Sequence, residues 1–349
     1  MIPSPASWAP TGEPPRLAHE PPEARGIERD EVALLVSDAG SHQHTTFRQI
    51  AACLRPGDLL VVNDSRTLAA SLRATSTLGE VTLNLATRFG RDLWLAEPRW
   101  GPELPGPLPL GQGERLDVGG IEARLIAPYP GAERLWFVRL DGDAAMTAGG
   151  APVRYGYLAE PQPLEAYQTV FARTPGSAEM PSAGRPFSGR VLASLQAAGV
   201  EVASITLHAG LSSLEVDLAD VAATSLPPEP FAVPPATARA VSDARARGGR
   251  VIAVGTTVVR ALESAVSEGR LTPMRGFTRR VLHPGRPARI VDGLLTGFHE
   301  PRSSHLALLL ALADERLVES AYREAAAGPY LWHEFGDVHL ILPNGRRAR

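Results

Sequence analysis

Four short polar clusters in this sequence carry side chains that move protons or hold anions, and each follows an apolar run. Because ligands of open α/β sheets bind beyond the carboxyl ends of the strands, such clusters would meet at one edge of a shared sheet. Two imidazoles and two carboxylates within or near them would then form an acid–base site. The clusters are 63–66, 208–210, 255–257 and 296–304, and the acid–base candidates are His208, His299, Asp64 and Glu229.

The stretch 250–265 contains the most informative of these clusters. Residues 251–254 form an apolar, β-branched run typical of a strand buried on both faces, and apolar residues then recur at helical spacing. The turn 255–257 would present free backbone N–H groups and the positive end of a helix dipole to a carboxylate or phosphate. Arg260 opposes that dipole, which predicts a partner for it: Glu263 three residues on, or an anionic ligand. An ordinary strand–helix unit of an α/β core shows the same pattern.

The elements that would position the clusters alternate between strand-like apolar runs and stretches with helical spacing. This alternation predicts an α/β domain. The predicted strands are 32–36, 58–62, 200–207, 251–254, 289–295 and 337–342, and the predicted helices are 47–54, 191–198, 236–247, 258–265, 305–313 and 315–326.

The sequence pattern changes between residues 79 and 140, where short strand-like runs without helical spacing are separated by Gly-Gly and Pro-Gly pairs. This spacing predicts a small antiparallel sheet or barrel, and no catalytic constellation is visible in it. Residues 1–26 are rich in Pro, Ala and Glu without periodicity, which predicts a disordered leader. We therefore predict an α/β catalytic domain of residues 27–72 and 150–349, interrupted by an inserted β-barrel of residues 73–149.

The composition excludes several classes of protein. A chain of 349 residues with 44% hydrophobic and 21% charged residues is typical of soluble globular proteins. A single cysteine excludes an internal disulfide and a cysteine-based metal cluster, so we expect no bound metal. The sequence shows neither a signal peptide nor a bilayer-spanning run, which predicts a cytoplasmic protein without membrane contact. Walker, GxGxxG, HExxH and GxSxG motifs are absent from the sequence.

All 35 basic residues are arginine, although the formal net charge is −3. The segment 270–289 holds six of these arginines and no acidic residue. Arg275, Arg279 and Arg280 in this segment are candidates for contact with RNA phosphates. An exposed arginine-rich loop without RNA would look the same.

An ordered set of motifs resembles one known family, the S-adenosylmethionine:tRNA ribosyltransferase-isomerases of queuosine biosynthesis. The set runs in family order from about residue 47 to the end of the chain. The resemblance implies a two-domain fold in which a β-barrel interrupts an α/β catalytic domain. The motifs are PGDLLVVNDSR (56–66), YQTVFA (167–172), PSAG (181–184), TLHAG (206–210), AVGTTVVRALES (253–264), VDGLLTGFHEPRSS (291–304) and FGD (335–337).

The resemblance also implies a reaction. The ribosyl part of S-adenosylmethionine, a co-substrate rather than a prosthetic group, would move to 7-aminomethyl-7-deazaguanine in the tRNA anticodon loop. Its rearrangement would give epoxyqueuosine and release adenine and methionine. Such chemistry needs a base that removes the acidic proton beside the sulfonium and an acid that helps adenine to leave. It also needs a site that excludes water. We expect a monomer in which His208, His299, Asp64 and Glu229 are catalytic. The expected binding residues are Asn63, Arg66, Tyr167, Gln168, Gly255, Thr256, Thr257, Arg260 and Asp337.

The chain departs from the family's usual motifs at several polar positions. Pro186 stands where the family has a histidine, and 226–229 reads Leu-Pro-Pro-Glu in place of Met-His-x-Glu. Proline neither donates nor accepts a proton, so these changes remove acid–base groups. Two alternatives therefore remain beside the family reaction. One is a paralogue that binds S-adenosylmethionine and modifies a small-molecule acceptor, and the other is a catalytically silent RNA- or ligand-binding protein.

Overall fold

The structure is a computed structural model, and it describes residues 15–38, 40–211, 226–299 and 303–343. It confirms the predicted fold class, an α/β sheet combined with a closed antiparallel β-barrel. The strands are β1 (Ala33–Asp38), β2 (Ser41–Thr46), β3 (Leu59–Asn63), β4 (Ser65–Thr67), β5 (Ser71–Ser76), β6 (Gly79–Arg88), β7 (Leu93–Arg99), β8 (Arg115–Val118), β9 (Ile121–Tyr129), β10 (Ala132–Arg139), β11 (Thr174–Ser177), β12 (Glu201–Leu207), β13 (Glu229–Val233), β14 (Val251–Val254), β15 (Val266–Ser267), β16 (Arg270–Leu271), β17 (Met274–Thr278), β18 (Gly293–Gly297) and β19 (Val338–Leu342). The α-helices are α1 (Gly142–Gly149), α2 (Gly189–Ala197), α3 (Pro235–Ala246), α4 (Thr256–Ser264), α5 (Ser304–Leu312) and α6 (Glu315–Ala327).

The large sheet has nine strands in the order β17-β13-β12-β3-β14-β18-β19-β1-β2. Strands β12, β3, β14 and β18 run parallel, so their carboxyl ends share one edge. The described parts of all four polar clusters lie at this edge, as the sequence predicts; residues 300–302 of the last cluster lie outside the described residues. Strand β19 is antiparallel to β18 and begins there.

Strict alternation of side chains gives the sheet two apolar faces. Leu59 and Val61 of β3 join one core with residues of α3, α4, α5 and α6. Leu60 and Val62 join a second core with α2 and a 3-10 helix, Phe47–Cys53. Burial on both faces explains why the central strands are apolar throughout.

The barrel closes in the order β10-β7-β6-β5-β8-β9. The chain leaves the large sheet after β3, passes through β4, which pairs with β11, completes the barrel and returns after α1, as expected of an insertion. Its interior is filled by apolar side chains such as Leu83, Leu95 and Leu125, each fully buried. Thr87 of β6 donates a hydrogen bond to the Pro228 carbonyl at 3.0 Å, which ties the barrel to the large sheet.

The predicted disorder of the leader is wrong for residues 15–26, and residues 1–14 lie outside the described residues. Ala18 is buried, and its amide donates to the Trp332 carbonyl at 3.1 Å. The Arg25 guanidinium donates to the carbonyl of Phe335 at 3.0 Å. A proline-rich segment lacks periodicity, but it packs here because another part of the chain supplies its partners.

Other local differences concern helix type and sheet edges. The segment predicted as a helix at 47–54 forms a 3-10 helix rather than an α-helix. The edge strands β2 and β17 were not predicted, because their exposed, polar residues lack apolar alternation. No helix in the described ranges is both long and apolar enough to cross a membrane.

Candidate active site

A cleft of about 480 Å³ opens at the shared carboxyl edge of the four parallel strands. The barrel contributes Glu97 and Arg99 to one wall, and the segment 153–157, which returns from the barrel, contributes another. The cleft therefore lies at the junction between barrel and sheet. Six predicted site residues line it: Glu229, Gly255, Thr256, Thr257, Arg260 and His299.

Helix α4 begins in the cleft wall. Gly255 precedes it with φ of +96°, a conformation that favours glycine, and its amide donates to the Leu295 carbonyl at 2.8 Å. The Val258 amide donates to the Gly255 carbonyl at 3.1 Å, but the amides of Thr256 and Thr257 have no carbonyl one turn earlier to accept them, and no side chain caps the helix. Because Thr256 and Thr257 line the cleft, this helix end is placed to bind an anion.

Arg260 lies one turn into α4 and forms an ion pair with Glu229 of β13. Its Nε donates to the Arg280 carbonyl at 3.0 Å, whereas its Nη2 is buried without a hydrogen-bond partner among the described residues. Glu229 also accepts the Gly210 amide at 3.0 Å. The guanidinium therefore keeps one donor for a group that enters the site.

Of the two partners that the sequence suggested for Arg260, Glu263 is not paired with it. The Glu263 carboxylate instead accepts the backbone amides of residues 289–291, the shortest at 2.6 Å. Helical spacing makes the pair possible, but a buried carboxylate gains more from several fixed amide donors than from one flexible arginine.

His299 and His305 form a stacked pair in the cleft, with ring centroids 4.4 Å apart and planes inclined by 14°. His299 Nε2 lies 2.7 Å from the Thr296 hydroxyl. Burial, reinforced by neighbouring imidazoles, holds the pKa of His299 well below its usual range. Burial and then Arg260 lower the pKa of His305 to about 4. Both rings are therefore neutral near pH 7 and able to accept a proton.

Aromatic rings line a further part of the cleft, which begins beside His299. Tyr157 stacks on His333 at 4.6 Å and on Tyr155 at 5.7 Å. The Tyr157 hydroxyl donates to the Glu334 carboxylate, and burial together with that carboxylate raises the pKa of this phenol. This wall combines ring faces with negative charge, which suits a cationic ligand group.

His208 and Asp64 lie behind the cleft and do not line it. His208 Nδ1 lies 2.7 Å from the Ser65 hydroxyl, which lies 2.6 Å from the Ser177 hydroxyl. Burial lowers the pKa of His208 although the Asp64 carboxylate opposes the shift. Asp64 accepts the Thr206 hydroxyl at 2.6 Å. These polar groups join β3, β4, β11 and β12.

Asn63 is also outside the cleft lining, but it supports the start of α4. Its amide donates to the Leu207 carbonyl at 2.8 Å and to the Thr257 hydroxyl at 3.2 Å, and its oxygen accepts the Leu207 amide. Arg66 is exposed and does not line the cleft.

Three further predicted binding residues support the backbone instead of lining the cleft. Tyr167 is buried in an aromatic cluster. The Gln168 side chain bonds both the amide and the carbonyl of Thr67. The Asp337 carboxylate accepts two backbone amides at 2.7 Å each, and burial raises its pKa.

The arginines predicted to contact RNA lie on and just beyond edge strand β17. Arg275 and Arg279 are exposed, and the guanidinium of Arg279 lies 5.9 Å from the Tyr129 ring centroid. Arg280 is half-buried and lines a smaller cavity that shares Glu229 and Arg260 with the cleft.

Several cleft residues were missed from the sequence. His305 carried a usable signal, since it occupies the first turn of a helix that begins at the predicted edge. The sequence carries no such signal for four other lining residues, because they reach the sheet only when distant parts of the chain dock on it. These residues are Glu97, Arg99, Tyr157 and His333. In the parts of the chain that the structure describes, no three His, Cys, Asp or Glu side chains are grouped to hold a metal.

Comparisons with known proteins agree with this architecture. The family described as "Queuosine biosynthesis protein" matches residues 13–341. The S-adenosylmethionine:tRNA ribosyltransferase-isomerase of Acidithiobacillus ferrooxidans is 39% identical over 333 residues, which cover 92% of this chain and 94% of the relative. The enzyme of the same name from Rubrobacter xylanophilus is 39% identical over 344 residues, which cover 95% of this chain and 96% of the relative. The crystal structure of the Thermotoga maritima S-adenosylmethionine tRNA ribosyltransferase matches with a TM-score of 0.52 and 28% identity, over 93% of this chain and 96% of that one. By sequence and fold, the chain belongs to the queuosine biosynthesis protein family.

Proposed function

We propose that this chain transfers and isomerises the ribosyl moiety of S-adenosylmethionine onto 7-aminomethyl-7-deazaguanine in tRNA. Family membership indicates the reaction, and one feature of the cleft supports it most directly: an open helix N-terminus and a free guanidinium donor face a neutral histidine pair. The first two bind an anionic group, and the pair accepts a proton.

The carboxylate of S-adenosylmethionine would bind at the start of α4. Arg260 Nη2 would donate a charge-assisted hydrogen bond to it, and the first-turn amides would add the helix dipole. The sulfonium would then face the wall formed by Tyr157, Tyr155 and Glu334. This placement puts the negative and the positive group of the co-substrate against different lining residues, with the sulfonium near His333 and His299.

His299 and His305 are proposed to accept the proton beside the sulfonium. Their lowered pKa values keep both rings neutral, and two stacked rings 4.4 Å apart disfavour double protonation. The proton taken by one ring is thus readily passed on, and a histidine that has gained it becomes an acid for the departing adenine. Thr296 would orient His299 through its hydroxyl.

The two histidine positions that are proline in this chain lie outside the lining of the cleft. Pro186 is buried and does not line it, and Pro227 borders the smaller cavity beside it. Glu229, His299 and His305 are among the acid–base groups that line the cleft. The family reaction is therefore favoured over a silent protein.

We further propose that S-adenosylmethionine acts without a prosthetic group, and that the acceptor lies in the tRNA anticodon loop. The chain would work as a cytoplasmic monomer. The barrel, assigned to residues 73–149, would complete the cleft through Glu97 and Arg99, while residues 27–72 and 150–349 supply the catalytic groups.

Single-turnover adenine release tests the reaction. The protein is mixed with S-adenosylmethionine and tRNA that carries 7-aminomethyl-7-deazaguanine, and the same tRNA with guanine serves as the matched control. We expect adenine and the epoxide-bearing nucleoside only with the modified tRNA. Adenine release with free 7-aminomethyl-7-deazaguanine in place of tRNA would support the paralogue that modifies a small molecule. Binding of S-adenosylmethionine without adenine release would support the catalytically silent protein.

A further inference from the structure

An arc of four aromatic rings joins edge strand β17 to the barrel, from the exposed Phe277 through the half-buried Phe89 and Phe137 to the buried Tyr129. Phe277 stacks on Phe89 with centroids 5.5 Å apart and planes inclined by 29°. Phe89 contacts Phe137 at 5.7 Å, and Phe137 contacts Tyr129 at the same distance. We call these four rings, together with Arg275 and Arg279, the Phe277 patch.

The patch is open to solvent on the β17 side. Phe277 is 50% exposed although one face of its ring packs on Phe89, and such exposure is unusual for a large aromatic side chain. Side chains of a strand alternate between faces, so Arg275 and Phe277 share the face that meets Phe89. Arg279 lies over the ring of Tyr129 and closes the arc.

The charge of the patch is positive on a protein whose net charge is negative. Neither Arg275 nor Arg279 forms an ion pair with any residue that the structure describes. Exposed guanidinium groups beside an exposed ring such as Phe277 are the combination that binds single-stranded nucleic acid, because phosphates pair with the charges and a base stacks on the ring. A duplex offers the phosphates but keeps its bases stacked internally.

The patch is adjacent along the chain to a residue of the candidate active site. Arg279 belongs to the patch, and the next residue, Arg280, lines the smaller cavity and accepts a hydrogen bond from Arg260 through its carbonyl. A nucleotide that leaves its stack to enter the cleft would thus leave its neighbours close to the ring faces.

We propose that the Phe277 patch is a stacking platform for unpaired bases of the anticodon loop that flank the modified nucleotide. This inference rests on the proposed function for the identity of the RNA. Phe277 supplies the ring face, and Arg275 and Arg279 hold the adjoining phosphates.

Binding measurements with the full-length protein test the platform. The probes are an anticodon stem-loop RNA and a fully paired, blunt-ended RNA duplex with the same number of phosphates. We expect Phe277→Ala and Phe277→Leu to weaken stem-loop binding about tenfold and to leave duplex binding unchanged, while Phe277→Trp keeps the wild-type affinity for the stem-loop. Val202→Ala, at an apolar position that is 42% exposed near the start of β12, is the matched control and should change neither.

The salt dependence separates stacking from charge. Arg275→Ala should reduce the slope of log Kd against log salt by about 0.7, whereas Phe277→Leu should leave the slope unchanged. Equal stem-loop affinity for the wild type and Phe277→Leu would overturn the proposal. Equal losses of affinity for the stem-loop and for the duplex would also overturn it. So would a wild-type dimer that Phe277→Ala converts to a monomer at unchanged RNA affinity, since the patch would then be a subunit interface.

Adenine release by the wild type tests the proposed reaction separately. Stem-loop binding that depends on Phe277, without adenine release, would reject the reaction and keep the platform. Adenine release with binding that is independent of Phe277 would reject the platform and keep the reaction.

Discussion

Replacement of Arg260 by methionine should raise the KM for S-adenosylmethionine strongly. Methionine keeps the apolar stem but removes the Nη2 donor that has no partner among the described residues. A hydrogen bond to a charged group contributes about 1.5–3 kcal/mol, which corresponds to roughly a 10- to 150-fold increase in KM. A smaller change in kcat is expected, because the carboxylate is distant from the bonds that break.

The same substitution should also destabilise the protein. Glu229 is 9% exposed, and without Arg260 its carboxylate keeps the Gly210 amide as its one hydrogen-bond partner within the described ranges. Removing one partner of a buried ion pair costs about 3–5 kcal/mol. The double variant Arg260→Met/Glu229→Gln should recover part of this loss, because no unpaired charge remains buried. Its KM should stay high, since the Nη2 donor is still missing.

Urea unfolding and steady-state kinetics with saturating tRNA measure the two effects. Arg323→Met is the matched control, because Arg323 forms an exposed pair with Glu319 on α6 and should change neither quantity appreciably. A folded Arg260→Met protein with an unchanged KM for S-adenosylmethionine would refute the placement of the carboxylate. Additive losses of stability in the double variant would refute the coupling of Arg260 to Glu229.

Three further predictions follow from buried polar groups. Burial lowers the pKa of His339 from 6.5 to about 3, so its unfolded state takes up protons first and stability falls as pH drops below 6.5. At about pH 5 this group lowers the free energy of unfolding by about 2 kcal/mol relative to neutral pH. In urea unfolding, His339→Gln should therefore lose about 2 kcal/mol less than the wild type between pH 7 and pH 5. An unchanged pH dependence would contradict the lowered pKa of His339. Asp58→Asn should lower the free energy of unfolding by about 2–3 kcal/mol, because the Asp58 carboxylate accepts a hydrogen bond from the Arg250 guanidinium at 2.6 Å, whereas Glu201→Gln at an exposed pair should cost under about 1 kcal/mol. Thr296→Val should reduce kcat about tenfold with little change in KM, since it frees the ring of His299; a normal kcat would show that this hydroxyl does not position the histidine.

The sequence was sufficient for the elements whose pattern is local. Strand β14 and helix α4 were predicted because a double-sided apolar run and a helical spacing meet at a small-residue turn. The inserted barrel was predicted from a change in turn spacing. The edge strand β17 and the packed segment 15–26 were not, because their structure depends on partners far along the chain.

The site divides in the same way. Parallel strands place their carboxyl ends at one edge, so the sequence alone located the start of α4, Arg260 and His299 there. It could not distinguish Glu229 from Glu263 as the partner of Arg260, or assign Asp337 to backbone support, because both depend on which donors lie within about 3 Å after folding. The stacking of His305 on His299 and the barrel wall of Glu97 and Arg99 are likewise tertiary. Periodicity determines which face of an element is buried, whereas the contacts of polar side chains are decided only when separate elements dock.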